Sequence, residues 1–320
     1  MTVLIGRRAS AILFNLLVAT DDRRPFLLPA NICPIVPLTF MKAGRPFRAV
    51  DIRREDLCID IEECLRLLSH DPDGYAGVLF VRPYGAEFEV DSWFTRIKEI
   101  RPDLIVIDDK CLCPPDCAGD RLTSVADITL FSTGPSKFLD LQVGGFAHVR
   151  TPLPYRPHNA AYAPAGLEEV TKAYKSAMQR RERFIPANGE WLDLSDAGVT
   201  WDSHRRRTEA ELRLEVDHRE RVLAVYEEII PAEMHLPKPY QAWRFNIWVP
   251  DATRVLSLLR EESLPVSQHY ASIGGVFCDG RYPVAEEVHS RIINLFLSRQ
   301  IDPTRARLTA TRLMQVCSAF

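Results

Sequence analysis

The sequence predicts an α/β fold, with a mainly parallel central sheet flanked by helices and a small α+β domain at the end of the chain. Three observations predict it. Short continuous apolar runs, such as GVLFV at Gly77–Val81 and LIVI at 104–107, alternate with helical patterns through the first 150 residues; strands covered on both faces read this way. Polar residues follow two of these runs directly, Asp108-Asp109 after LIVI and Ser132 after ITLF. Ligands of parallel sheets collect at just such strand ends. Finally, a long charged helical pattern and three prolines separate this half from a shorter tail. A chain of 320 residues is long enough for two domains. They are expected at 1–220 and 221–320.

The elements follow in order from local patterning. ASAILFNLLVA at Ala9–Ala19 reads as a buried helix opening the fold. Arg7-Arg8 ahead of it resembles the start of a secretory signal, but the apolar stretch runs into Thr20-Asp21-Asp22 and falls short of the roughly 20 residues a membrane span needs. No membrane segment is expected elsewhere. A strand is predicted over 26–28, a helix over 33–43 ending near Gly44, and a strand over 48–51. Ile61, Cys64, Leu65 and Leu68 give the 59–69 segment an amphipathic helical face. Gly77–Val81 is a strand, Asp91–Ile100 a helix and 103–107 a strand, with strands over 128–131 and Gly145–Val149 completing the sheet. Residues 151–200 read as loops around one helical stretch at 167–183, expected to pack over the site or against a partner subunit. A charged helix is predicted over 205–230. Pro231, Pro237 and Pro239 then break the chain. A strand over 244–249, a helix over 253–262 and a final helix over 284–296 make the tail.

Composition narrows the function. The chain is 46% hydrophobic and 26% charged, with a formal net charge of −3, so no overall basic field points to nucleic acid. Arg180-Arg181 and Arg205-Arg206-Arg207 lie in charged helical patterns and read as solvated faces. Eight cysteines in a chain of this length do not make a secreted disulfide framework. Cys111, Cys113 and Cys117 invite a metal reading, but no fourth ligand follows and Pro114-Pro115 stiffens the loop. Free thiols in a reducing cytoplasm, without a metal, are expected.

The chemistry concentrates in FSTGPSKFLDLQVGGFA at 131–147. Lysine usually sits on a solvated face, and here Lys137 stands in a Ser-Thr-Gly-Pro-Ser turn ahead of Gly144-Gly145. An amine so placed can form a Schiff base with an aldehyde cofactor. The upstream carboxylate suits pyridoxal phosphate, whose ring nitrogen needs an anionic partner.

Several segments, in order, resemble the DegT/StrS-type sugar aminotransferases, a family of fold-type-I pyridoxal-phosphate-dependent transferases. GRRASAIL resembles the family's Gly-led helix start, and LLPANICPIVPLTFMKAGRPFRAVDI its strand–helix–"G-x-x-P" segment. FVRPYG resembles its "V-H-x-Y-G" turn, VIDD its "V-I-E-D", FSTGPSK with the following Gly-Gly its lysine loop, and PVAEEVHSRIINLFLS its late helix and strand. The resemblance implies that Lys137 carries the internal aldimine and later moves the substrate proton. It places Asp109 on the pyridine nitrogen, with Asp108 at the family's Glu. Ser132 would bond the phosphate, and Arg7 and Arg8, at a helix start, are candidates to add charge there.

Three departures stand out. Cys33 occupies the position of an aromatic residue that stacks on the ring, and Leu112 that of a Gln or His near the ring oxygen. The family's "N-Y-R-M" loop, which reaches across the dimer, is replaced by a different sequence within 185–210. On the substrate side the candidates are Arg82, Tyr84, Arg244, His269 and Tyr270; an arginine such as Arg244 could fix a carboxylate bidentately. The resemblance implies a homodimer that moves an amino group from glutamate or glutamine to a keto acceptor, with a nucleotide-linked keto sugar as the family's acceptor. The same clamp would serve another reaction at the alpha, beta or gamma carbon. A regulatory protein of decayed site is the reading that Asp109, Ser132 and Lys137 oppose.

Overall fold

The computed structural model describes residues 2–120, 122, 125–186 and 189–319. Its N-terminal part runs β1 (Thr2–Gly6), α1 (Ala9–Ala19), β2 (Phe26–Pro29), α2 (Ile35–Lys42), β3 (Phe47–Val50), α3 (Ile61–His70), β4 (Gly77–Val81), α4 (Asp91–Ile100), β5 (Ile105–Asp109), β6 (Ile128–Ser132) and β7 (Gly145–Val149). It continues with α5 (Pro164–Arg180), α6 (Trp201–Ile229), β8 (Phe245–Trp248), α7 (Ala252–Glu261), β9 (Val266–Ser267), α8 (Pro283–Arg291), β10 (Ile292–Leu295) and α9 (Pro303–Cys317).

Seven strands form one sheet in the order β1-β7-β6-β5-β4-β2-β3. Pairs from β3 through β6 are parallel, and β7 runs antiparallel to both β6 and β1. The central strands β2, β4, β5 and β6 are almost wholly buried, as strands covered on both faces must be. On one face α1 and α2 close a core with Leu28, Leu79, Ile107 and Leu130. On the other, α3 and α4 cover Leu27, Val78, Phe80 and Val106. The amphipathic face read in the sequence is the buried face of α3, which starts where Asp60 accepts the Glu62 and Glu63 amides.

A second sheet of three strands, ordered β8-β10-β9, is antiparallel throughout. It builds a separate core with α7 and α9. The 29-residue α6, about 43 Å long at the helical rise, belongs to both parts. Its Leu212 and Val216 pack on Phe138, Leu139 and Leu141 in the loop between β6 and β7, and Val222 and Tyr226 enter the core of the second. Residue 220, the expected domain boundary, falls inside this helix.

Two expectations are corrected. The helix predicted over 284–296 stops at Arg291, and Ile292–Leu295 is instead the central strand β10 of the small sheet. A four-residue apolar run following a helix cannot be told from its continuation by periodicity. Residues 303–317 form a further helix, α9, capped by Asp302 accepting the Arg305 amide. The edge strand β1 also carried too short a pattern to be read.

Candidate active site

Parallel pairing brings the carboxyl ends of β4, β5 and β6 to one edge of the large sheet. Alternation along β5 turns Asp108 and Asp109 to opposite faces. Asp108 is fully buried and receives Arg82 bidentately, Nε to Oδ1 at 2.8 Å and Nη2 to Oδ2 at 2.9 Å. Arg82 spends another nitrogen on the Phe88 carbonyl at 2.6 Å. Asp109 lines a cavity of about 330 Å³. Its Oδ1 accepts the Cys111 amide at 2.9 Å, and no ion pair reaches it among the described residues. Burial pushes the Asp109 carboxyl above its ordinary range, against the opposing pull of Cys111 and of the Lys137 charge.

The same cavity is lined by Lys137, Ser132, Cys33, Arg8 and Tyr270. Ser132 ends β6 directly opposite Gly145, which in turn faces Gly6 at the end of β1. A Cβ on Gly145 would stand 2.3 Å from the Ala9 nitrogen. Glycine there lets β7 approach the start of α1, whose first residues, Ala9 and Ser10, also line the cavity. First-turn amides have no intrahelical acceptor, so this end of the cavity is electropositive. Arg8 adds its charge, anchored by Nη1 on the Gln142 carbonyl at 2.8 Å. Arg7 does not line the cavity itself; its Nε stands 3.6 Å from Asp193, which does.

The substrate-side candidates divide. Tyr270 reaches the cavity, whereas Tyr84 lines a neighbouring crevice and donates its hydroxyl to the His269 carbonyl at 2.7 Å. His269 packs on Trp243, and burial pushes its imidazole down to about 3. Arg244 is buried between Trp243 and Phe296, its guanidinium carbon 4.1 and 3.9 Å from the ring centroids, and donates to Ser267. No carboxylate pairs with it among the described residues. It faces a second, small cavity that Lys137 also lines. Arg82 is held by Asp108, as above.

Some lining residues were not singled out in the sequence. Trp191, Leu192 and Asp193, with Leu167 of α5, lie over the cavity, so the 151–200 segment does contribute a roof. Trp191, Leu192 and Asp193 occupy the stretch whose sequence departs from the resembled family, and no motif marks any of the four. Cys111 and Leu112 line the wall beside Asp109; burial raises the Cys33 and Cys111 thiols, which stay neutral. Among the described residues no group of three or more His, Cys, Asp or Glu could hold a metal ion.

These features fit a ligand that is cationic at one end, anionic at the other and reactive toward an amine between them. Asp109 is a buried carboxylate with no ion pair among the described residues. Gly134 leaves open the space between Arg8 and Ser132, because a Cβ there would stand 3.2 Å from Arg8 Nη1 and 3.6 Å from Ser132 Oγ. Pyridoxal phosphate, with its ring nitrogen, phosphate and aldehyde, has this distribution.

No protein-family model matches the chain, and no curated protein does. Solved structures do. PseC of Helicobacter pylori, an aminotransferase involved in pseudoaminic acid biosynthesis, superposes with a TM-score of 0.71 at 15% identity, covering 100% of this chain and 88% of that one. A DegT DnrJ EryC1 StrS aminotransferase of Brucella abortus gives 0.69 at 15%, covering 99% and 86%. GDP-4-keto-6-deoxy-D-mannose-3-dehydratase of E. coli, solved with hydrated pyridoxal phosphate, gives 0.62 at 12%, covering 99% and 87%. The chain has the fold of the pyridoxal-phosphate-dependent aminotransferases. A DegT DnrJ EryC1 StrS aminotransferase is among the structures that share that fold.

Proposed function

We propose that this chain is a pyridoxal-phosphate-dependent aminotransferase. One observation carries the reading: a buried carboxylate with no ion pair among the described residues and a lysine amine line one cavity, together with Ser132, Arg8 and the first residues of α1. Asp109 would hold a proton on the pyridine nitrogen. Ser132, Arg8 and the amides opening α1 would hold the phosphate, and Cys33 would lie over the ring. The bound cofactor supplies an electron sink for the carbanion left at the substrate's alpha carbon. Lys137 attaches the cofactor, then carries the proton between carbons on one face.

Arg244 would receive the donor's carboxylate, since it is a buried cation facing the small cavity beside Lys137. Glutamate or glutamine would be the donor. PseC, by its name an aminotransferase of pseudoaminic acid biosynthesis, supports a keto sugar as the acceptor, and a nucleotide-linked one is proposed. A homodimer would complete the site. The eight unpaired cysteines are compatible with a reducing cytoplasm. A second reading keeps the cofactor but runs another reaction, elimination, decarboxylation or substitution. Apolar Leu112 beside Asp109 favours it, as does the dehydratase among the structural neighbours.

Absorption spectra of purified protein mixed with pyridoxal phosphate test this. A visible band of lysine-bound cofactor should form and disappear in Lys137→Ala. Glutamate or glutamine should then convert the cofactor to its amine form. No band in the wild type would overturn the cofactor reading; a band without amine formation from any amino acid would select the second reading.

A further inference from the structure

The loop carrying Lys137 is held from outside the sheet that bears it. Trp243 Nε1 donates to the Ser136 carbonyl at 2.8 Å, and Arg219 Nη2 of α6 donates to the Phe138 carbonyl at 2.6 Å. The residues on either side of Lys137 thus each give their carbonyl to a side chain from the second half of the chain. The two holders are themselves joined, for Arg219 Nη1 donates to the carbonyls of Trp243 at 2.7 Å and Ala242 at 3.1 Å. Its guanidinium carbon also stands 4.3 Å from the Phe138 ring centroid. Arg219 is 5% exposed and is fixed in turn by Glu215, Nε to Oε1 at 2.9 Å, one helical turn away. On its other side Trp243 stacks nearly parallel to Tyr270, at 9° and 6.4 Å between centroids, and Tyr270 lines the cofactor cavity.

The loop needs outside support. Ser136 holds a positive φ of 62°, a conformation that a non-glycine residue enters only at a cost. Local bonds contribute: the Ser136 amide reaches Asp140 Oδ2 at 2.9 Å, and the Lys137 amide reaches the Gly134 carbonyl at 3.4 Å. Neither constrains the carbonyls. A lysine on a four-carbon stem reaches a fixed point reproducibly only if its Cα is fixed.

We propose that Trp243 and Arg219 are positioning residues for Lys137, which clamp its backbone and tie the reach of its amine to the small sheet. The inference rests on the reading of Lys137 as the residue that attaches the cofactor. Trp243→Phe keeps an aromatic ring at the stack while removing the indole donor and part of the ring's bulk; Arg219→Met removes the other holder, and Arg219→Lys restores a donor. Hydrogen exchange of the 133–141 peptide in cofactor-free protein should speed up roughly tenfold in Trp243→Phe, while peptides of the small sheet, which report the loss of ring bulk, change far less. With pyridoxal phosphate present, covalent capture on Lys137 by borohydride and single-turnover rate should fall about tenfold while cofactor Kd stays within twofold. Arg219→Lys should recover part of what Arg219→Met loses.

Unchanged exchange and unchanged capture in Trp243→Phe would overturn the clamp. So would a parallel loss of melting temperature, Kd and rate, which marks a general structural role. If the wild type binds no pyridoxal phosphate, the functional reading fails, while the exchange measurement still decides whether the loop is held.

Discussion

The two faces of β5 put the same side chain to opposite uses. On one, Asp108 is closed off by a bidentate Arg82, and nothing more can be asked of either charge. On the other, Asp109 is nearly as buried, yet its hydrogen-bonding partners among the described residues are only the amide and thiol of Cys111, and no ion pair reaches it. Taking a carboxylate out of water costs several kcal/mol unless a cation returns it. Arg82 returns it for Asp108 inside the chain. Asp109 leaves the debt open, beside a lysine and opposite an anion cradle. Neighbours, and not residue type or burial, separate a fold-holding acid from one poised for a ligand.

The largest effect belongs to the open face. Lys137→Ala should abolish covalent cofactor attachment and lower turnover by about 10²- to 10⁴-fold, the usual worth of a positioned proton carrier. Its melting temperature should barely move, because the half-buried amine has no ion pair among the described residues. Steady-state kinetics beside calorimetry would show the split. A large loss of stability would mean that Lys137 belongs with Arg82 and Asp108 as a structural group.

The paired acids sharpen the comparison next. Asp108→Asn leaves a buried guanidinium uncompensated and should cost about 3–5 kcal/mol of folding stability. Asp109→Asn should cost little in the cofactor-free protein while lowering turnover at least tenfold. The pH dependence carries a definite sign. Burial raises the folded Asp109 above its unfolded value near 4. Between those two values the folded chain therefore holds a proton that the unfolded chain has lost, and Asp109 makes stability fall as pH rises. Relative to wild type, Asp109→Asn should gain stability as pH climbs above about 4. A gain seen instead on acidification would show that Asp109 already has a cation.

How far these roles could be read beforehand follows from the same physics. Strand-end placement of Asp109 and Ser132 was legible because continuous apolar runs mark buried parallel strands, and the turn residues around Lys137 mark a loop. Ala9–Ala19, Gly77–Val81 and Asp91–Ile100 fall where patterning put them. The strand Ile292–Leu295 was not separable from the helix before it, because it follows Arg291 with no intervening turn residue and a short apolar run can continue a helix's buried face. The Arg82–Asp108 pair was illegible for another reason: it joins the end of one strand to the next across the sheet, and no local period reports such a contact. Trp243 and Arg219 are likewise distant in sequence from Lys137, and their partners are backbone carbonyls, which leave no side-chain signature at all.

The smallest effect concerns the anion cradle, where several weak donors share one task. Ser132→Ala removes one hydroxyl but leaves Arg8, the amides opening α1 and the space above Gly134. A hydrogen bond to a charged group is worth about 1.5–3 kcal/mol. With donors remaining to take up part of that loss, cofactor affinity should fall by roughly tenfold, with turnover at saturation nearly unchanged. Arg8→Met should act in the same direction and more steeply at low salt, since part of its contribution is long-range charge. Titrations followed by cofactor absorbance at two ionic strengths separate the two donors. A Ser132→Ala variant that binds cofactor normally but turns over slowly would move Ser132 from the phosphate to the reacting carbons, and would place the end of β6 closer to the chemistry than its geometry indicates.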